Sequence, residues 1–297
     1  MGGCSLNPRF IKKRQGHKTM QYQTLNDQNK IPMLGYGVFM IPDGECEGCV
    51  KNAIECGYRH IDTAQIYGNE AGVGRAISGC GVPRDELFIT SKVWVKEFGY
   101  EKTLKSIEQS LKKLNTGYVD LMLLHRPFFD YIGAWKALLT AQKDGLVKSI
   151  GISNFTQKQT EEIISVAGVL PAVNQIELHP YAGQKKLKEY LINKDIAVEA
   201  WYPLGHGNKK LLSDKAICAI AKKYSKTPSQ IILRWHIERS NIIFPKTCSI
   251  EHMRENFDIF SFSLAEEDVK AIDALDKNKL LFNVPDWIQK LTIKLSK

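Results

Sequence analysis

The sequence predicts a single α/β domain closed into a (β/α)8 barrel, and three observations carry that prediction. Short apolar β-like runs alternate with helical patterns, which implies a parallel sheet. The alternation runs through eight units in one chain of 297 residues, enough for a barrel of about 250 residues with extensions. Most of the apolar runs also end, on their C-terminal side, in a polar or aromatic residue, as the functional rim of a TIM barrel would.

The elements follow in order. Ile31-Pro32 leads into a first strand at 34–37. A helix is expected near 45–56, where Cys46, Cys49, Val50, Ala53 and Ile54 share one stripe. Strands at 58–62 and 87–92 come next, the latter bounded by the polar run of Pro83, Arg84, Asp85 and Glu86. Leu104, Ile107, Leu111 and Leu114 mark an amphipathic helix. The run 119–125 is largely apolar, as a strand covered on both faces must be. Tyr131, Trp135, Leu138 and Leu139 mark the next helix, and 147–152, 172–175, 197–201 and 242–244 complete eight strands. An open dinucleotide-binding sheet would show a Gly-rich phosphate turn after its first strand. "LGYGVF" lacks the third glycine, "AGVGRAI" follows no strand, and no Walker A pattern occurs.

Apolar residues make up 43% and charged residues 25%, an ordinary globular balance able to bury a large core. The net charge is +9, and Arg9, Lys12, Lys13, Arg14 and Lys18 supply five of those charges with no acid among the first 19 residues. Residues 1–19 are therefore expected to form a basic, disordered extension, and 20–297 the barrel. They lack a secretory signal's apolar stretch. "MGGCSL" places its hydroxyl at Ser5, one position short of a myristoylation signal. No basic stripe with aromatic platforms points to nucleic acid, and no run is long and apolar enough for a membrane helix. Cys46 and Cys49 form a C-x-x-C pair without a second ligand pair, so a buried face is expected rather than a metal or redox site. A cytoplasmic, monomeric protein with a small-molecule partner is the expectation.

The strand ends suggest the chemistry. The second strand ends at Asp62, the third at Lys92, the fourth at His125, the fifth at Ser153 and Asn154, the sixth at Gln175, the seventh at Trp201 and the last at Lys246. Taken alone, each is an ordinary capping, surface or core residue; seven agreeing ends weaken that reading. A phenol titrates near pH 10 unless perturbed, and a nearby ammonium lowers that value. Lys92, held by Asp62, is expected to tune Tyr67 into a proton donor in this way. His125 would orient a carbonyl oxygen. No metal is implied. A Schiff-base aldolase would need Lys92 neutral and unpaired, and a non-catalytic barrel would not need all four groups.

At this point the chain resembles the aldo-keto reductase family. The resemblance lies in "GYRHIDTAQIYGNE" with Asp62 and Tyr67, "ITSKVW" with Lys92, and "DLMLLHRP" with His125. It continues in family order through "IGISNF", "NQIELHPY", "AWYPLG" and "FPKTCSIEHMRENF", so that it spans 22–282. The compact C-terminus and "LGYGVF" look most like the short microbial branch that includes 2,5-diketo-D-gluconate reductases. The resemblance implies an oxidoreductase that moves a hydride from NADPH to an aldehyde or ketone, such as a keto sugar, keto acid or small aldehyde. It makes Tyr67 the general acid, Lys92 its tuner, Asp62 the partner of Lys92, and His125 the carbonyl-orienting group. Ser153, Asn154 and Gln175 would hold the nicotinamide carboxamide, Trp201 would stack on its ring, and Leu204 would lie along the pyrophosphate. Lys246 and Thr247 would meet the 2′-phosphate, with His252, Glu255 and Asn256 near the adenosine end. Phe39, Trp94 and Arg126 would line the substrate pocket.

Three positions depart from the commonest family pattern: Arg126 where Trp is frequent, Trp201 where Tyr is usual, and His252 where Arg is common. An imidazole cannot make a guanidinium's bidentate contact with phosphate. NADH is therefore expected to be tolerated beside NADPH.

Overall fold

The chain enters through a hairpin that the strand pattern did not reveal. In the computed structural model, which describes residues 20–295, β1 (Tyr22–Thr24) pairs antiparallel with β2 (Lys30–Pro32). The expected extension at 1–19 lies outside the described residues. Leu25 and Ile31 belong to one apolar cluster with Leu121, Leu123 and Ile242 and with Phe88, Val173 and Ala197, which begin β5, β8 and β9. Asn26 donates its amide to the carbonyls of Pro171 and Asp195 at 3.0 and 2.9 Å. The hairpin thus plugs the bottom of the barrel, opposite the expected site.

Eight parallel strands follow: β3 (Tyr36–Gly37), β4 (His60–Asp62), β5 (Phe88–Val93), β6 (Val119–Leu124), β7 (Val147–Ser153), β8 (Val173–Glu177), β9 (Ala197–Trp201) and β10 (Asn241–Ile243), each beside its predecessor. The ring closes where Leu34 bridges Ile243, with Gly35 N–H donating to the Ile243 carbonyl at 2.6 Å and Ile243 N–H to that of Met33 at 2.9 Å. The predicted strands all recur, with ends displaced by a residue or two where loops take over. Only β3 is cut to two paired residues, because closure at Leu34 is a single bridge.

Helices α1 (Asp43–Glu55), α2 (Glu70–Gly79), α3 (Tyr100–Leu114), α4 (Tyr131–Lys143), α5 (Gln157–Ala167), α6 (Lys185–Asn193), α7 (Lys209–Leu212), α8 (Lys215–Tyr224), α9 (Pro228–Glu238), α10 (Ile250–Phe257) and α11 (Glu266–Asp273) surround the ring. The anticipated apolar stripes face inward: Cys46, Val50, Ala53 and Ile54 on α1, and Ile107, Leu111 and Leu114 on α3. Reciprocal side-chain caps, Thr156 with Gln159 and Thr227 with Gln230, set the starts of α5 and α9. Gly74 lets α2 touch the end of α3, where a Cβ would lie 2.4 Å from the Lys113 carbonyl oxygen. No described helix is long and apolar enough to cross a membrane.

Beyond α11 the chain returns to the C-terminal rim before a last helix, α12 (Asp286–Leu295). Glu177, at the end of β8, accepts the backbone N–H groups of Leu281 and Phe282 at 2.5 and 3.1 Å. This buried carboxylate holds the returning segment over the barrel mouth, a long-range contact that no local pattern announces.

Candidate active site

A cavity of about 650 Å³ opens at the C-terminal rim, the largest of the described pockets. Asp62, Tyr67, His125, Ser153, Asn154, Gln175, Trp201, Leu204 and Lys246 line it, as do Phe39, Trp94 and Arg126. The structure therefore gathers most of the expected residues around one space. Lys92 lies behind Asp62, fully buried, and does not line it; nor do Thr247, His252, Glu255 and Asn256, the last four being remote in the chain from the strand ends of β4–β9. Thr247 belongs to the segment after β10, and His252, Glu255 and Asn256 to α10.

Parallel strands deliver the reacting groups. Asp62 ends β4 and Lys92 lies near the end of β5; their side chains meet at 2.6 Å, 2% and 0% exposed. Lys92 Nζ also donates to the Thr63 carbonyl at 2.9 Å. Burial alone pulls the lysine pKa down, but Asp62 chiefly, with Tyr67 and Glu199, outweighs it and holds the pKa above its usual value. Lys92 is thus a fixed ammonium, and a charged amine does not attack carbonyls.

Tyr67 sits on a short 3-10 turn, Gln65–Tyr67, that Gly68 ends in the left-handed conformation at φ +70. The loop is pinned from three sides. Asn69 donates to the carbonyls of Val38 and Ile41, both at 2.9 Å, and accepts from Thr63; Gln65 accepts the Trp94 N–H at 2.8 Å. Lys92 Nζ lies 5.1 Å from the Tyr67 ring centroid. The Tyr67 phenol is not tuned downward as the neighbouring lysine led one to expect. Burial raises the Tyr67 pKa by more than Lys92 lowers it, so the phenol stays above its ordinary value. The ammonium is already largely balanced by Asp62, whereas phenolate would have to form in a poorly hydrated pocket. Tyr67 is a proton-holding phenol rather than a near-phenolate.

His125 follows β6, its N–H bonded to the Val93 carbonyl at 3.2 Å. Its ring meets those of Trp94 and Tyr67 edge-on at 5.2 and 5.8 Å between centroids. Burial first, then the charges of Lys92 and Arg126, push its pKa well below the ordinary value, so the imidazole is neutral. Its Nδ1 is buried without a hydrogen-bond partner among the described residues.

A second network runs along the other wall. Gln175 Nε2 donates to Asp62 at 2.9 Å and to Glu199 at 2.8 Å. Both amide hydrogens are taken up by carboxylate groups, which turns the amide oxygen away as a free acceptor. Asn154 donates to Ser153 Oγ at 2.9 Å and to the His125 carbonyl at 3.2 Å, and its oxygen accepts the Trp201 indole N–H at 2.9 Å. The indole is thereby locked in orientation. Ser153 donates to the Gln175 carbonyl at 3.0 Å. Lys246 is exposed at the cavity edge and has no ion pair among the described residues.

Sequence reasoning passed over Glu199, Tyr202, His206 and Phe282. Of these, Glu199 left a signal: it is the sole acid in the apolar run Ala197–Trp201. It is fully buried, one of its oxygens has no partner, and burial together with the Asp62 charge pushes its pKa up to about 8. A carboxyl titrating near pH 4.3 when unfolded binds an extra proton in the fold. Its contribution to stability is therefore complete below about pH 4.3 and is lost as pH rises toward 8. In thermal unfolding followed from pH 5 to pH 8, Glu199→Gln is expected to flatten the decline of the melting temperature. Parallel declines in parent and variant would show that Glu199 does not titrate in this range.

Comparison with known proteins agrees with this arrangement. The family model for the aldo/keto reductase family matches residues 34–277. A glyoxal reductase of Bacillus subtilis (strain 168) is 44% identical over 264 residues, covering 88% of this chain and 95% of that protein. A methylglyoxal reductase of Escherichia coli (strain K12) is 40% identical over 265 residues, covering 88% and 96%. Among solved structures, an aldo/keto reductase from Brucella melitensis is 49% identical, with a TM-score of 0.84 over 87% of this chain and all of that one. A variant of Gox0644 in complex with NADPH is 39% identical, with a TM-score of 0.86 over 90% and 97%. With the match covering most of the sequence and the barrel and its rim residues in place, the chain belongs to the aldo/keto reductase family.

Proposed function

We propose that this enzyme reduces the carbonyl group of an aldehyde or ketone with NADPH, and that Tyr67 delivers the proton. The observation that carries this reading is the buried Lys92–Asp62 pair set beside a proton-holding Tyr67, with a neutral His125 on the same cavity. A bound reduced nicotinamide supplies the hydride. The remaining work falls to side chains of this chain. His125 donates a hydrogen bond to the carbonyl oxygen and positions it at the Tyr67 hydroxyl. Tyr67 transfers its proton as negative charge develops there. Lys92 stabilises the phenolate left behind, and the rings of Phe39, Trp94 and Phe282 keep water out.

The residues around the cavity fit such a cofactor. The free oxygen of Gln175 would accept from a carboxamide NH2, and the Asn154 oxygen, which already takes the Trp201 indole N–H, keeps a second lone pair for it. Trp201 presents a fixed ring on which a nicotinamide would stack, Leu204 would lie along the pyrophosphate, and Lys246 and Thr247 would meet the 2′-phosphate. Glu255 and Asn256 would lie near the adenine, with Glu255 already engaged by Thr227 at 2.5 Å. We also place the chain in the short microbial branch, acting on small carbonyls. Relatives named glyoxal and methylglyoxal reductases support that placement.

His252 lies in the first turn of α10, exposed, at the place of a second phosphate clamp. Losing one charge-assisted hydrogen bond corresponds to roughly tenfold or more in discrimination. The parent enzyme is therefore expected to oxidise NADPH with a small aldehyde and to show measurable NADH turnover. His252→Arg should raise the NADPH preference about tenfold. Steady-state assays with both cofactors test this. No turnover with NADPH overturns the functional reading, and an unchanged preference in His252→Arg overturns the role of His252.

A further inference from the structure

We infer that Arg126 makes the substrate side of the cavity a carboxylate-binding subsite, so that the preferred carbonyl substrates carry an acid group. This rests on the carbonyl-reductase reading above and specifies its substrate class.

Arg126 follows His125 directly, and both line the cavity, so an anion on Arg126 belongs to the molecule whose carbonyl meets His125. The guanidinium is half-buried, yet none of the described ion pairs or side-chain hydrogen bonds includes it. It lies over the Phe282 ring, 4.7 Å from guanidinium carbon to centroid. A guanidinium lying over an aromatic face keeps its in-plane N–H donors free, and those donors match a carboxylate bidentately.

The neighbouring acids do not serve as partners. Glu177 is within electrostatic reach, but its oxygens accept from Leu281 and Phe282, and His179 lies at 3.3 Å. Asp286 is exposed at the start of α12. Asp62 is bound to Lys92 and Gln175. The same Glu177 that holds Phe282 under the guanidinium partly offsets its charge. That balance suits a monoanionic carboxylate better than a dianionic phosphate. Burial lowers the Arg126 pKa, the mark of a cation that has lost water without gaining an anion. Trp94 against His125, Phe39 against Tyr67, and Met40 and Ile66 elsewhere in the lining are apolar walls that suit a carbon skeleton.

The test compares benzaldehyde with its ortho, meta and para carboxylated forms, using NADPH and the full chain. The quantity read is the ratio of kcat/KM for the best acid to that for benzaldehyde. Arg126→Met keeps the aliphatic stem and is expected to lower the ratio by at least about tenfold, the worth of one charge-assisted hydrogen bond. Arg126→Lys keeps the charge without the fork and should recover part of it. In the parent, the ratio should fall as ionic strength rises, a readout that needs no variant. A ratio unchanged in Arg126→Met, or a parent ratio indifferent to salt, overturns the subsite while benzaldehyde turnover leaves the reductase reading standing. Absence of turnover with all four aldehydes overturns both.

Discussion

Replacing Tyr67 with phenylalanine is expected to slow the chemical step by at least about 10²–10⁴-fold, the usual worth of a positioned general acid. The substitution removes one oxygen and keeps the ring. Packing of Tyr67 against Phe39 at 4.9 Å, and the edge contact with His125, should therefore survive. Cofactor affinity should hold as well, since the carboxamide acceptors and Trp201 belong to β7–β9 and their loops. Single-turnover oxidation of bound NADPH measures the chemical step, and fluorescence titration measures binding. A variant that turns over at nearly the parental single-turnover rate would remove Tyr67 from the role of acid. The raised phenol pKa adds a pH expectation: the donor keeps its proton throughout the neutral and mildly alkaline range. Any loss of rate near pH 8 then belongs to another group, and Glu199, which shares the Gln175 amide with Asp62, is the one at the site whose pKa is pushed up to about 8.

Lys92→Met is expected to abolish turnover to a similar degree and to destabilise the fold by about 3–5 kcal/mol, the cost of stranding one member of a buried ion pair. Asp62 would then lie 2% exposed with only Gln175 as partner, and Thr63 would lose a donor to its carbonyl. Burial already pushes the Asp62 pKa up against the pull of Lys92; without the lysine that push is unopposed by a cation. A carboxyl with a raised folded-state pKa stabilises most below its unfolded value and loses that contribution as pH rises. The melting temperature of Lys92→Met should therefore fall further behind the parent from pH 5 to pH 8. Adding Asp62→Asn removes the stranded charge and is expected to recover most of the stability and none of the activity. If the double variant is as unstable as the single one, the pair is not the source of the loss. If it regains activity, the ammonium is not needed beside Tyr67.

Much of this site was legible in one dimension. Eight apolar runs alternating with amphipathic stripes determine a parallel barrel, because strand and helix periods are local properties of neighbouring residues. Chain direction then puts Asp62, Lys92, His125, Ser153, Gln175, Trp201 and Lys246 on a single rim, whatever the details of packing. The tertiary structure alone decided the rest. Glu199 meets Gln175 across 24 positions through the pairing of the neighbouring strands β8 and β9, and Asp62 of β4 meets Gln175 of β8 across 113, a contact that only barrel closure brings about. Glu177 reaches Phe282 across 105 positions and so sets the wall against which Arg126 lies. The expected depression of the Tyr67 pKa failed for the same reason. Sequence names the charges that are near, but the penalty for ionising depends on how much water the fold leaves around the phenol, which is set by residues distant in the chain.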